Sequence, residues 1–151
     1  MNKKEALSKI RSICSRQEQC RQDIIFKLSK WDISEPDSEQ ILETLEHEGF
    51  IDNSRYAFSF ANDKFKFNRW GKIKIRWMLR QKEISEEIIE KALSLIDEDE
   101  YISILTSELR KKMKSLKSQD EYDQKGKLIQ FATQRGFEHE IIYKAINKLI
   151  L

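Results

Sequence analysis

The amino-acid sequence predicts an all-α chain built as three tandem three-helix repeats that form an elongated, curved helical array. Three observations carry that expectation. The 151 residues include only four Gly and one Pro, so helices meet few breaks. No stretch sustains the apolar–polar alternation that a half-buried strand requires. The apolar pattern also repeats along the chain.

With a shift of 53 residues, Ile75, Leu79, Lys82, Ile84, Ile88, Ile89, Ala92 and Leu93 fall on Leu128, Ala132, Arg135, Phe137, Ile141, Ile142, Ala145 and Ile146. A shift of 51 places Ile24, Leu28 and Ile33 on Ile75, Leu79 and Ile84, and a loop at Pro36 adds about four residues before Ile41, Leu42 and Leu45. Two amphipathic helices match at helical spacing by chance, but chance does not keep the linker and the following helix in register. The units are expected at 1–51, 52–97 and 98–151. Each is too small to bury its apolar face alone, so neighbours pack end to end.

The elements follow from start and stop signals. The first helix is expected at about 3–14. Ser15 with Glu18 reads as a capping box that opens a second at about 17–30. Pro36 blocks continuation beyond Trp31, and a third helix runs from about 38 to 48, where Gly49 takes the left-handed C-cap position. Asp52 caps a helix over about 53–67, and Asn68 to Gly71 is a turn ahead of a helix over about 72–82. Ser85 caps one over about 86–95, with Glu86 and Glu87 complementing its dipole. Helices over about 99–116, 120–135 and 139–149 complete the third unit, with Ser118 and Glu121 as a second capping box and Gly136 as a stop.

Composition excludes several function classes. Hydrophobic residues reach 39%, enough for a chain of this length to bury roughly 70% of its unfolded surface, so a disordered polyampholyte is excluded despite 36% charged residues. No apolar run approaches the roughly 18 residues of a membrane span, and the start has no signal-peptide pattern, so a cytoplasmic location is expected. Cys14 and Cys20 form no CxxC, and His47 and His139 stand apart, so two reduced thiols and no metal are expected. Phosphate-loop, dinucleotide-fingerprint, zinc-protease and nucleophile-elbow motifs are lacking. No catalytic residue, cofactor or small-molecule substrate is expected.

The formal net charge of +2 conceals a segregated distribution. Between Lys64 and Lys82 stand eight basic residues, Lys64, Lys66, Arg69, Lys72, Lys74, Arg76, Arg80 and Lys82, and no acidic one. From Glu83 to Glu100 there are eight acidic residues and one base, Lys91. On a helix from Lys72, the side chains of Lys72, Arg76 and Arg80 share an arc of about 80°, apart from the core arc of Ile75, Met78 and Leu79. Bases without a counter-charge repel one another, and a polyanion or an acidic protein surface would relieve that repulsion. Ile73 and Trp77 lie on neither face and are expected to pack against the adjacent unit, with Trp70 and Trp77 as the alternative stacking residues. Arg110, Lys111, Lys112, Lys114 and Lys117 form a second basic cluster, which placement near a helix C-terminus also explains.

The segment Ile51-Asp52-Asn53-Ser54-Arg55-Tyr56-Ala57, then Gly71-Lys72, Ile75, Leu79, the Gln81-Lys82-Glu83-Ile84 step and the Gly136-Phe137 step before Ile141, resembles the RecX family of recombination regulators. The resemblance covers nearly the whole chain. It implies tandem three-helix repeats and a partner, the RecA recombinase filament on single-stranded DNA, whose recombinase, ATPase and coprotease activities such proteins inhibit, modulating DNA repair and the SOS response. The chain departs from the family pattern at Asp32 and Glu83, which stand where a Gly is expected before the third helix of a unit; Gly136 keeps it. The resemblance transfers no catalytic or contact signature, so the basic positions above come from the charge pattern. The expectation is therefore a non-enzymatic, monomeric regulator; the alternative is an autonomous helix-turn-helix-like DNA-binding protein acting without a recombinase.

Overall fold

The structure, a computed structural model, describes residues 1–117 and 119–150. Among the described residues it holds nine helices and no strand: α1 (Lys3–Arg16), α2 (Arg21–Lys30), α3 (Glu35–His47), α4 (Asn53–Lys66), α5 (Lys72–Gln81), α6 (Glu86–Ser94), α7 (Glu98–Ser115), α8 (Glu121–Gln134) and α9 (His139–Ile150). In each successive triplet the first helix packs against the third, and the middle helix closes the unit.

Two starts differ from the sequence expectation. Ser15 does not cap a helix. It lies inside α1, where its hydroxyl donates to the Arg11 carbonyl at 2.9 Å, so α1 continues to Arg16. The second helix begins later, behind Cys20, whose N–H donates to Asp23 at 3.4 Å. Pro36 does not precede α3 but sits in its first turn, where a missing N–H breaks no helical bond; Ser34 caps that turn by accepting from the Asp37 N–H. The capping box expected at Ser118 lies outside the described residues.

The middle helices end by one device. Asp32, Glu83 and Gly136 take positive φ (56°, 57° and 90°), and the next residues, Ile33, Ile84 and Phe137, donate their N–H groups to the carbonyls of Leu28, Leu79 and Ala132 at 3.1, 3.2 and 3.1 Å. This is the Schellman closure, in which a left-handed residue returns the chain over the last turn. Gly49 (φ 79°) does the same after α3, as expected.

Burial divides the core in two. Ala6, Ile10, Ile24, Leu28, Ile41, Leu42, Leu45 and Ile51 form a core for the first unit. The second and third units share a continuous core through Phe65, Leu79, Leu93, Leu105, Leu109 and Phe137, and Cys20 reaches into it from the first. Tyr101 joins the two later units, its ring 5.5 Å from that of Phe65 and 5.1 Å from that of Phe137. The first unit meets the second through polar contacts: Arg55 Nε to Glu18 Oε1 at 2.6 Å, Lys82 Nζ to Asp23 Oδ1 at 2.6 Å, and the Arg21 N–H to Asn53 Oδ1 at 3.2 Å.

Candidate functional site

The predicted basic segment folds onto four places instead of one stripe. α5 starts at Gly71 after a tight turn in which Arg69 takes a positive φ of 59°. One arc of α5 carries Arg76 and Arg80 toward α6. Arg76 meets Glu90 through two bonds of 2.7 and 3.3 Å, and Arg80 meets Glu86 through two of 2.5 and 3.0 Å. The guanidinium bonds hold both carboxyls below the usual carboxylate range. The bases expected to lack a counter-charge are thus neutralised by the acids that follow them in sequence. Lys72 lies 5.0 Å from the centre of the Tyr101 ring, and its backbone N–H donates to the Tyr101 hydroxyl at 2.8 Å. That hydroxyl donates in turn to Glu138. Lys82 bonds Asp23 at the boundary with the first unit, an interaction that raises the lysine's pKa.

Lys64, Lys66, Arg69 and Lys74 lie elsewhere. Lys64 and Lys74 sit 5.1 and 4.3 Å from the centre of the Trp70 ring. The Gly71 N–H donates to the Arg135 carbonyl at 2.7 Å and the Ile73 N–H to the Gly136 carbonyl at 3.0 Å, so this turn is joined directly to the third unit. Across the seam, Arg69 and Lys111 share Glu108, at 3.4 and 3.9 Å, while Lys112 and Arg135 lie 5.6 and 4.6 Å from the centre of the Phe131 ring. Two clusters that are separate in the sequence therefore meet at the junction of the second and third units. Helical geometry turns Arg110 and Lys114 to the side of α7 roughly opposite Lys112, and Lys117 follows the helix end. The second cluster is not one face.

Ile73 and Trp77 are 48% and 57% exposed and stand outside both apolar cores. Trp70 is the reverse case, with its ring occupied by two lysines rather than bare for stacking. Sequence reasoning passed over Arg135 and Phe131 as site residues. The repeat register, which sets Arg135 against Lys82, was the signal for the first.

The I-D-x-x-R-[YF]-A segment is architectural. Ile51 is buried, Asp52 caps α4 by accepting from the Arg55 N–H at 3.1 Å, and Tyr56 and Ala57 enter the shared core. Arg55 reaches back to the Gly49 carbonyl at 3.0 Å and to Glu18. Among the described residues no group of His, Cys, Asp and Glu is placed to hold a metal ion, and no helix is long and apolar enough to cross a membrane.

Residues 52–93 match the family model for the second three-helix domain of RecX, and residues 98–146 match that for the third. The chain is 34% identical to regulatory protein RecX of Chlorobium phaeobacteroides over 91% of this chain and 88% of that one. It is 30% identical to that of Prosthecochloris aestuarii over 97% and 95%. Against regulatory protein RecX of Clostridium botulinum it is 32% identical over 72% of this chain, a match spanning 51% of that longer protein. A crystal structure of regulatory protein RecX superposes with a TM-score of 0.86 at 27% identity, covering 96% of this chain and 71% of that one. RecX from Lactobacillus salivarius superposes at 0.84 and 23% identity, a likeness of fold. On these similarities, over nearly its whole length, the chain belongs to the RecX family of regulatory proteins.

Proposed function

We propose that this protein is a non-enzymatic regulator that binds the RecA recombinase filament on single-stranded DNA and inhibits its recombinase, ATPase and coprotease activities. The family supports the regulatory part of that reading. The observation that carries the contact is the convergence of Lys64 and Lys74 from the second unit with Lys112 and Arg135 from the third at one junction. Cations drawn from two units suit a ligand longer than a single side-chain pair, such as a phosphate backbone or the acidic surface of a polymer. Lys72, Arg76 and Arg80 take a lesser part, because the two arginines already pair with Glu90 and Glu86.

The test is ATP hydrolysis by the recombinase on single-stranded DNA, titrated with the native chain and with a Lys64→Glu, Lys74→Glu, Lys112→Glu, Arg135→Glu variant whose helicity matches it. The native chain is expected to inhibit and the variant to need at least about tenfold more protein, equivalent to about 1.4 kcal/mol. A native chain without effect on the filament would overturn the function, and full inhibition by the folded variant would overturn the junction as its contact.

A further inference from the structure

We infer that a single strand of nucleic acid crosses the junction between the second and third units, with its phosphates on cations from both and an unpaired base stacked on Phe67. This rests on the proposed function in taking the basic junction as the working face, and it adds the binding mode and a residue that the charge pattern does not single out.

Phe67 is 80% exposed at the end of α4. Its position is fixed. Its N–H donates to the Asp63 carbonyl at 2.8 Å, and the N–H groups of Asn68, Arg69 and Trp70 donate to the carbonyls of Lys64, Phe65 and Lys64 at 3.2, 3.1 and 3.1 Å. A rigid turn thus holds a bare aromatic ring in solvent, with Lys64, Lys66 and Arg69 in the same turn. Two nearby aromatics are occupied. Trp70 carries Lys64 and Lys74, and Phe131 carries Lys112 and Arg135, so these rings position cations; Phe67, and the less exposed Trp77 on α5, keep open faces, and Phe67 is the one that follows Lys64 and Lys66 directly in the turn. A lysine already held over a ring loses less freedom when a phosphate arrives than one moving freely. Two acids lie near. Glu108 is shared between Arg69 and Lys111, and Asp63 is exposed one turn before Phe67. Lys66 has no ion pair among the described residues.

Stacking on a protein ring needs a base with a free face, which a single strand offers and a duplex hides within its own stack. The structure therefore favours a single strand over a duplex and over an acidic protein, for which a protruding Phe without a pocket of its own adds little.

The experiment measures binding of the full chain to a fluorescently labelled thymidine homopolymer and to a duplex of equal length, across a salt series and without recombinase. Phe67→Ala, at an exposed position, is expected to keep the fold, to weaken single-strand binding about 5- to 100-fold and to leave the salt slope and duplex affinity unchanged, with Phe67→Tyr restoring affinity. Lys66→Ala in the second unit and Lys112→Ala in the third are each expected to lower the salt slope by about 0.7. Native-like strand binding by Phe67→Ala, an equal loss toward duplex, or a salt slope that answers to one unit alone would overturn the inference. Inhibition of the recombinase by a native chain with no affinity for the bare strand would overturn it and leave the proposed function standing; strand binding of this kind with no effect on the recombinase would do the reverse.

Discussion

Gly71 and Gly136 meet backbone to backbone across the seam between the second and third units. A Cβ on Gly71 would overlap the carbonyl of Gly136, and a Cβ on Gly136 would lie 2.6 Å from the backbone nitrogen of Lys74. Gly71 needs the space alone, since its φ of −82° is open to any residue; Gly136 needs both the space and a φ of +90°. Gly49, with a φ of +79° and nothing within 4 Å of its absent Cβ, needs the conformation alone.

Three alanine substitutions separate these effects. Gly49→Ala is expected to cost about 1 kcal/mol, Gly71→Ala about 1–3 kcal/mol, and Gly136→Ala more than either. Thermal unfolding checks the order, at about 2–4 °C per kcal/mol for a chain of this size. A tolerated Gly71→Ala would mean that the seam opens.

Asp32→Gly and Glu83→Gly should act in the opposite direction. Both residues hold left-handed backbone that costs about 1–2 kcal/mol without glycine, and the flexibility of glycine in the unfolded chain returns about 0.5–1 kcal/mol of that gain. A net stabilisation of about 0.5–1 kcal/mol at each site, seen as a higher denaturant midpoint with unchanged slope, is expected.

Tyr101→Phe removes the hydroxyl that accepts from the Lys72 N–H and donates to Glu138. Burial, then the bond to Glu138, pushes this phenol far above its ordinary pKa, so it keeps its proton as a donor throughout the accessible pH range. The loss should be about 1–3 kcal/mol, read from chemical denaturation, because the backbone N–H and the half-buried carboxylate are left without this partner.

Arg55→Ala should destabilise the boundary of the first two units through Glu18, whose Oε2 is buried without a hydrogen-bond partner. Glu18→Gln in the same chain should recover part of the loss. A double-mutant cycle is expected to give a coupling of about 1 kcal/mol, discounted for the partial exposure of both side chains. Strict additivity would show that Arg55 acts through the Gly49 and Phe50 carbonyls rather than through Glu18.

Acid should loosen α5 from α6. Glu86 and Glu90 have folded-state pKa values lowered by Arg80 and Arg76 from an ordinary 4.5. Stability from a depressed carboxylate is present above its unfolded value and is lost as pH falls through the folded one. Native stability should therefore decline below about pH 4.5, and Glu90→Gln should lower stability at neutral pH and flatten that decline, the two profiles converging in acid. Unfolding followed by circular dichroism at a series of acid pH values measures it.

The helices were legible in the sequence because their causes are local. Asp52 and Ser85 cap as read, and Ile75 and Leu79 stand on the core arc their spacing gives them. Ser15 and Pro36 misled because each signal has two local meanings: a serine bonds forward as a cap or back to the preceding turn, and a proline ends one helix or begins another. The charged segment was legible as composition and not as a surface. Arg76 and Arg80 meet Glu90 and Glu86 because α5 packs on α6, and Lys74 parts from Arg76 because they lie about 160° apart around the helix. The junction at Arg135 depends on two glycines 65 positions apart in the sequence, a relation that no local pattern announces.

The division of the core sets how the molecule comes apart. The first unit holds its own apolar cluster and is tied to the rest by ion pairs and by Cys20, while the other two share one interior. Such a chain is expected to unfold in two cooperative blocks of unequal size. Amide hydrogens of Ile10 and Leu45 should exchange through an opening that leaves those of Leu79 and Leu105 protected, so the first unit can detach while the seam between the other two stays closed.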